Sequence, residues 1–374
     1  DKVKVNSPLP TKQTKFKDKT RLVQTVKFHQ GAIWTMKFSP CGAYLCTGGQ
    51  DMNVIVWCIG NLPNTNTTTG TTEEKEGKGE TNPTNRHSFG NNKQNTENNS
   101  NSTSSGSEYV KTFLNPTPYR IFEGHTGDII DIAWSKSNFI LSASTDKTVC
   151  LWHVSRNVCL QYFRHPDIVT SIEFHPAHDR YYISGCFDRK LRVWDIIPDG
   201  IVQEWTQTTD TITSICFSPD GKTVAGGLIQ GRVYFYDLID FDQLKYKTQM
   251  NVRNTGGKYA PGTKVTGMCY RPGNTTGTND NRLRLCRLDD YSLICKYRGL
   301  KNKTMQIKAS FSSDGNYVIC GSETGAVYIW NTIPKKKNTV FSAFSSHKNR
   351  NDGYECFDCT SSSDIATTVA LFAP

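Results

Sequence analysis

With 374 residues, 36% of them hydrophobic and 21% charged, the chain is long enough for one large β-rich unit or two to three smaller domains. The mean hydropathy is −0.53, and no run approaches the roughly 18 uncharged apolar residues of a membrane span. The formal net charge of +10 leaves acidic proteins, anionic membranes and nucleic acid as electrostatic partners. The start, Asp1-Lys-Val-Lys-Val5, has neither an initiator Met nor the apolar core of a secretory signal, so it reads as a fragment or processed product. Several of the 13 Cys sit inside apolar runs (Cys46, Cys150, Cys216, Cys269, Cys320), which predicts buried thiols in a reducing compartment rather than a disulfide framework.

In chain order, residues 1–20 form a basic tail and Arg21-Leu-Val-Gln-Thr-Val-Lys-Phe28 predicts a strand. A unit follows in which Asp51 lies 22 residues after His29 and Trp57 lies six after Asp51. Residues 59–117 read as a low-complexity insert. Of the 47 residues from 61 to 107, 27 are Asn, Ser or Thr, and only Leu62 and Phe89 are hydrophobic. Such a composition cannot offset the entropy of ordering its backbone, so disorder is expected there. The unit then recurs as His125, Asp146 and Trp152, and as His165, Asp188 and Trp194, always with six residues from Asp to Trp. Trp194 follows Trp152 by 42 residues, and 42 more reach Tyr236. Trp330 ends a later copy, with Cys286 in the corresponding slot 44 residues earlier. The units share a strand pattern, apolar-x-x-apolar-x-aromatic. It stands at 33–38, 129–134, 169–174, 212–217, 265–270, 306–311 and 367–372, with turn sequences such as Ser218-Pro-Asp-Gly221 after it.

A period of 40–45 residues with these corners resembles the WD-repeat β-propeller family. Seven such first strands predict an all-β, seven-bladed WD-repeat propeller over residues 21–374. Its last blade is incomplete, because the chain stops just after the seventh first strand. Residues 21–28 are expected to run beside Thr367–Phe372 and close the ring, which would remove exposed strand edges. The short stretch Arg271–Asp280 leaves little room for a second strand in blade five. Within a blade, His, Asp, a strand Ser or Thr and the Trp indole can form one hydrogen-bond chain, and buried polar groups need such partners. His29, Asp51, Trp57, His125, Asp146, Trp152, His165, Asp188, Trp194 and Trp330 are therefore expected to be structural.

Further segments, Gly31–Ser39, Asp146–Ser155, Tyr246–Arg253, Gln306–Ser312 and Arg350–Asp352, resemble the Rab small-GTPase effectors within this family. The resemblance implies a cytoplasmic adaptor, peripheral on recycling-endosome or Golgi membranes, that binds an active Rab and other trafficking factors. It also implies that the Rab-binding motifs lie in an N-terminal half essentially absent here. In such propellers the second residue of each first-strand pattern points to the channel mouth. Those residues are Trp34, Ile130, Thr170, Thr213, Thr266, Ile307 and Thr368. Trp34, Ile130 and Ile307 are expected to form an apolar floor for a partner peptide, with Lys308 steering acidic groups.

No catalytic constellation emerges. Gly221-Lys-Thr223 resembles the end of a phosphate loop, but Cys216 stands where its first Gly is required. Cys356-x-x-Cys359, with His347 nearby, falls short of a four-ligand zinc site. No enzyme activity, cofactor or metal is expected. Residues 245–308 hold 14 Lys or Arg against three Asp, and residues 335–350 add five with no acid. This basic sector makes anionic membrane lipid the alternative partner. Tyr297-Arg-Gly299 keeps one of the two Arg in the lipid motif of phosphoinositide-binding propellers. Nothing like an aromatic stacking module accompanies the charge, which argues against nucleic acid.

Overall fold

Strands 3 to 9 residues long account for nearly all the regular structure, as expected of a chain rich in β-branched and aromatic runs between Gly and Pro turns. The structure is a computed structural model that describes residues 5–7, 15–16, 20–60, 113–197, 201–252, 262–271, 275–279, 282–287, 289–332, 350–351, 353–359 and 365–374. The first strand, β1 (Val5–Asn6), is discussed below with the sheet it joins. Blade one holds β2 (Ile33–Phe38), β3 (Tyr44–Gly49), β4 (Val54–Cys58) and β5 (Arg120–Phe122). Blade two holds β6 (Ile129–Trp134), β7 (Phe139–Ser144), β8 (Thr148–His153) and β9 (Gln161–Arg164). Blade three holds β10 (Val169–Phe174), β11 (Tyr181–Cys186), β12 (Lys190–Asp195) and β13 (Ile201–Gln207). Blade four holds β14 (Ile212–Phe217), β15 (Thr223–Leu228), β16 (Arg232–Ile239) and β17 (Gln243–Asn251). Blade five holds β18 (Gly267–Arg271), β19 (Thr275–Asn279), β20 (Leu283–Arg287) and β21 (Leu293–Tyr297). In each of these five sheets the strands lie side by side in chain order.

The sixth sheet is composite. It runs β22 (Ala309–Phe311), β23 (Tyr317–Gly321), β24 (Ala326–Asn331), β26 (Glu355–Asp358) and then β1, which pairs Val5 with Phe357. β25 (Arg350–Asn351) adds to blade five, parallel to β21.

Consecutive blades pack through the first strands, and small residues set their spacing. A Cβ on Gly48 would sit 2.7 Å from Ile129 Cγ2, and one on Gly185 would sit 2.6 Å from Ile212 Cγ2. Each glycine thus receives the opening residue of the next blade. The middle strands, covered on both faces, are buried along almost their whole length, as in β4.

Polar chains pin the outer corners. In blade one, His29 Nδ1 lies 2.8 Å from Asp51 Oδ2 and its Nε2 lies 2.7 Å from Thr47 Oγ1, to which Trp57 Nε1 donates at 3.0 Å. Blade two repeats the chain through His125, Asp146, Ser142 and Trp152, with 2.8 Å at each link. Burial pushes Asp51 and Asp146 up, but the His bonds and backbone amides outweigh it and hold both below the ordinary carboxylate range. Blade three departs from the pattern. Trp194 Nε1 and His165 Nε2 still meet Ser184 Oγ, at 2.9 and 3.0 Å. Asp188 has turned to Arg192, at 2.5 Å, and His165 Nδ1 faces Phe163 O at 3.2 Å instead. Trp330 Nε1 donates to Arg298 O, with no His involved.

The expectation of seven blades is corrected. The described residues form six sheets, five of them built from four consecutive strands and the sixth from both ends of the chain. Thr367–Phe372 runs between the sixth sheet and blade one, with a single parallel bridge from Val369 to Lys308. Thr368 Oγ1 donates to Ile33 O at 2.5 Å, so this segment ties the ring without a sheet of its own. Nor do residues 21–28 lie beside it as an outer strand. Gln24 exchanges two hydrogen bonds with the Leu114 backbone, and Phe28 sets its ring edge against Trp57 at 5.7 Å, both in blade one. Apolar burial there outcompetes ring closure, because Val26 joins Leu45, Ile55 and Trp57 in one cluster. Blade five does have a second strand, since β19 pairs with β18 from Gly267 and Asn279 to Arg271 and Thr275. Residues 61–112, most of the expected insert between β4 and β5, lie outside the described residues, as do most of residues 1–20.

Two outcomes test this account. Ser142→Ala removes the hydroxyl that accepts from Trp152 and links it to His125, so denaturant unfolding should show a loss of about 1–3 kcal/mol. His165 is held down to about 4 from 6.5 by burial. A base whose folded pKa is depressed contributes stability that is complete above the unfolded value and is lost as pH falls. Between pH 6.5 and about 4 the chain should lose up to roughly 3 kcal/mol through this group, and His165→Gln should flatten that part of the profile.

Candidate functional site in the channel

Alternation along a strand sends its third and fifth residues to one side. In the first strands that side is the ring axis, where a cavity of about 540 Å³ opens. The third residues there include Thr35, Asp131, Ser171, Ser214 and Lys308, and the fifth include Lys37, Glu173, Cys216 and Cys269.

Asp131 is fully buried, and its position is fixed by the donors around it. Ser171 Oγ donates to Oδ2 at 2.8 Å and Ile172 N donates to it at 3.0 Å. Ile132 N donates to Oδ1 at 3.0 Å. Lys308 Nζ reaches Oδ2 at 2.7 Å, which joins the sixth sheet to blade two across the channel. A Cβ on Gly267 would lie 3.0 Å from Lys308 Cα, so a bare glycine lets this chain pass. Burial pushes the Asp131 carboxyl up, yet Lys308, Lys37 and the Ile172 amide hold it below its ordinary value. Burial drives Lys308 down, although its side chain is still 28% exposed and Asp131 pulls the other way. Beside this pair, Glu173 accepts from Phe217 N at 2.8 Å, and burial pushes it up to about 7.

The residues expected at the channel mouth divide into two groups. In β2, β6, β10 and β14 the cross-strand register shifts after the first residue, so Trp34, Ile130, Thr170 and Thr213 are the extra residues of β-bulges. A bulge re-aims the side chain it carries. Thr170 Oγ1 turns to Ile212 O at 2.7 Å, Thr213 Oγ1 to Val265 O at 2.6 Å and Thr266 Oγ1 to Ile307 O at 3.1 Å. These bonds tie blade three to four, four to five and five to the sixth sheet, and Thr368 ties the C-terminal segment to blade one. Thr170, Thr213, Thr266 and Ile307 are buried, so they form no open floor, which corrects that part of the expectation. Trp34 and Ile130 remain half-buried, and Trp34 Nε1 donates to Asp128 Oδ2 of blade two at 3.0 Å. Lys308 lines the cavity and spends its charge on Asp131.

Asp131, Lys37 and Glu173 were not singled out from the sequence. Their signal was a charged letter at the third or fifth place of an otherwise apolar pattern. Cys269 is pushed up by burial to about 12, and Cys216 rises for the same reason, so neither thiol is ionised near neutrality. Among the described residues no group of three or more His, Cys, Asp or Glu could hold a metal ion.

The charge pair has a measurable consequence. Lys308→Met leaves Asp131 buried without its ion-pair partner, which should cost about 3–5 kcal/mol in urea unfolding. The double variant Asp131→Asn/Lys308→Met should cost less than the sum of its single changes.

Residues 20–58, 116–153, 157–195, 200–237 and 300–331 match the WD domain, G-beta repeat family. WD repeat-containing protein 44 of Xenopus laevis is 40% identical over 358 residues, which cover 92% of this chain and 38% of that protein. An uncharacterized WD repeat-containing protein of Schizosaccharomyces pombe is 29% identical over 316 residues, 82% of this chain and 48% of its own. The chain therefore spans less than half the length of these two relatives. In fold, it is similar to the β-propeller domain of Myceliophteria thermophila Cps50 (Swd1), with a TM-score of 0.61 over 93% of this chain and 92% of that one at 14% identity. Repeat matches, an extended relative and the propeller geometry agree: this chain belongs to the WD-repeat family and is similar to WD repeat-containing protein 44.

Proposed function

We propose that the chain is a non-enzymatic protein-interaction scaffold. Its finer role in this reading is that of a Rab small-GTPase effector or adaptor in vesicle trafficking, cytoplasmic and peripheral on endosome or Golgi membranes. The scaffold role follows from a WD-repeat propeller whose buried groups are spent on structure. The observation that carries the partner surface is Trp34. It sits on a bulge at the channel mouth, half-buried, with its indole anchored to Asp128. A partly exposed Trp held by a hydrogen bond is the kind of anchor that dominates protein interfaces. The Rab element rests on the likeness of segments such as Gly31–Ser39 and Gln306–Ser312 to the effector branch. The basic sector supports the lipid alternative less well, because Arg284 is buried and Lys247 is paired with Asp237 at 2.9 Å.

The test is capture of purified small GTPases on the immobilised chain, each loaded with GTP analogue or GDP. Preferential capture of the GTP form of a Rab is the expected result, and indifference to nucleotide would refute the effector role. Trp34→Ala, with folding checked by circular dichroism, should weaken capture of a partner from cytosol about tenfold or more. Flotation of the chain on phosphoinositide liposomes with no protein partner would move the reading to lipid.

A further inference from the structure

Away from the channel, blade two holds two neighbouring thiols, Cys150 and Cys159, with no disulfide between them. Cys150 lies within β8 and is fully buried, its Sγ 3.7 Å from His125 Nδ1 and 3.9 Å from Thr148 Oγ1. Across the hairpin it stands opposite Tyr162 of β9. Cys159 lies in the connection just before β9. Its Sγ faces Gln161 O at 3.2 Å and Leu151 O at 3.6 Å. Leu151 and Gln161 are the cross-strand pair next to Cys150 and Tyr162, so the Cys159 sulfur is held one register step from Cys150. It also packs against the apolar cluster that contains Cys150. The two sulfurs differ in access. Cys159 is half-buried between Val158, 61% exposed, and Leu160, 41% exposed, so a small solute can reach it, whereas Cys150 is sealed. They differ in acidity as well. A hydrogen bond with the Cys150 thiol, and a lesser one with the Tyr162 hydroxyl, hold Cys159 below the ordinary thiol value. The same contact, together with burial, pushes Cys150 up. An accessible sulfur with thiolate character beside a protected thiol is the arrangement of an attacking and a resolving cysteine.

We propose that Cys159 and Cys150 form a reversible oxidation site, at which hydrogen peroxide converts the pair into a disulfide that fastens the outer strand β9 to β8.

The chemistry balances in two steps. The Cys159 thiolate attacks one peroxide oxygen, the O–O bond breaks, and the departing oxygen takes a proton from solvent and leaves as water. Cys159 is then a sulfenic acid. The Cys150 sulfur attacks the Cys159 sulfur, the S–OH bond breaks, and the hydroxyl leaves as water with the Cys150 proton. Two thiols and one peroxide become one disulfide and two waters, with peroxide as the electron acceptor and each sulfur giving up one electron. A thiol reductant reverses the change through a mixed disulfide. The structural effect follows from the place of β9 in its sheet. β9 is the last strand and is bound along one edge only, to β8. A covalent tie across that edge, closing a loop from residue 150 to 159, restrains the opening of β9.

The experiment treats the whole folded chain with hydrogen peroxide, then alkylates the remaining thiols in denaturant and maps them by peptide mass. The dose is the one that oxidises half of Cys41, which is exposed and whose sulfur meets Ser39 and Asn138 rather than a second thiol. At that dose Cys150 and Cys159 should lose alkylation together, as one linked species two hydrogens lighter, and regain it with dithiothreitol. Cys356 and Cys359, both pushed up by burial, should stay alkylatable. Cys150→Ala should leave a dimedone-reactive sulfenic acid on Cys159. Cys159→Ser, at a half-buried position and checked for folding by circular dichroism, should leave Cys150 reduced. Amide exchange over Gln161–Arg164 should slow about tenfold in the oxidised chain and not in peroxide-treated Cys159→Ser. Reduced Cys150 and Cys159 at that dose, or a Cys159 sulfenic acid that never links to Cys150 in the unmutated chain, overturns the proposal. A linked pair with unchanged exchange in β9 overturns its fastening role.

Discussion

A carboxylate withdrawn from water needs a full set of replacement donors, and Asp131 sets that requirement at the axis of the ring. Its partners come from its own strand, from blade three and from the sixth sheet. They meet only if the first strands keep their spacing, if Lys308 extends inward and if Gly267 offers no side chain in its path. The threonine ties work in the same sense one layer out. Each hydroxyl ends on a carbonyl of the following first strand, so neighbouring blades share polar bonds as well as apolar surface. Directional interactions at the centre thus fix an arrangement that the apolar clusters between blades stabilise without fully specifying.

The outer corners show which part of the repeat is indispensable. In blades one, two and three the Trp indole, the strand hydroxyl and the His ring stay together. Asp188 has left that chain for Arg192, and the His165 ring found a backbone acceptor instead. The indole and the hydroxyl are deeply buried and cannot go unpaired, whereas the Asp sits nearer solvent and can change partner at lower cost.

Spacing made most of the fold legible. The six-residue step from Asp to Trp placed β4, β8 and β12, and the apolar-x-x-apolar-x-aromatic pattern placed the inner strands. Counting inner strands failed at the end of the chain, because a strand pattern does not guarantee sheet partners. Thr367–Phe372 carries the pattern and stands with one bridge. Residues 21–28 show a complementary limit, since an alternating apolar run fits any apolar surface and Trp57 was the nearer one. The stretch Arg271–Asp280 leaves little room for a second strand, yet β19, Thr275–Asn279, pairs with β18 through five residues. At the site, Asp131 and Lys308 were each visible as letters, but only closure of the ring could bring them to 2.7 Å.

The composite sheet orders assembly in time. Among the described residues, Val5 and Asn6 pair with Phe357 and Cys356, and Ser7 Oγ donates to Tyr354 O at 2.7 Å beside them. Blades two, three and four draw all their strands from short contiguous stretches, so each can form as soon as it leaves the ribosome. The edge strand β1 precedes every other described strand of the propeller and docks only after β26 is made. It waits through the synthesis of nearly the whole chain, and the long loop it closes returns little binding energy. The seam between β1 and β26 is therefore short and late to form. Hydrogen exchange there should run ahead of the interior, and a nascent chain halted before β26 carries that strand without its mate.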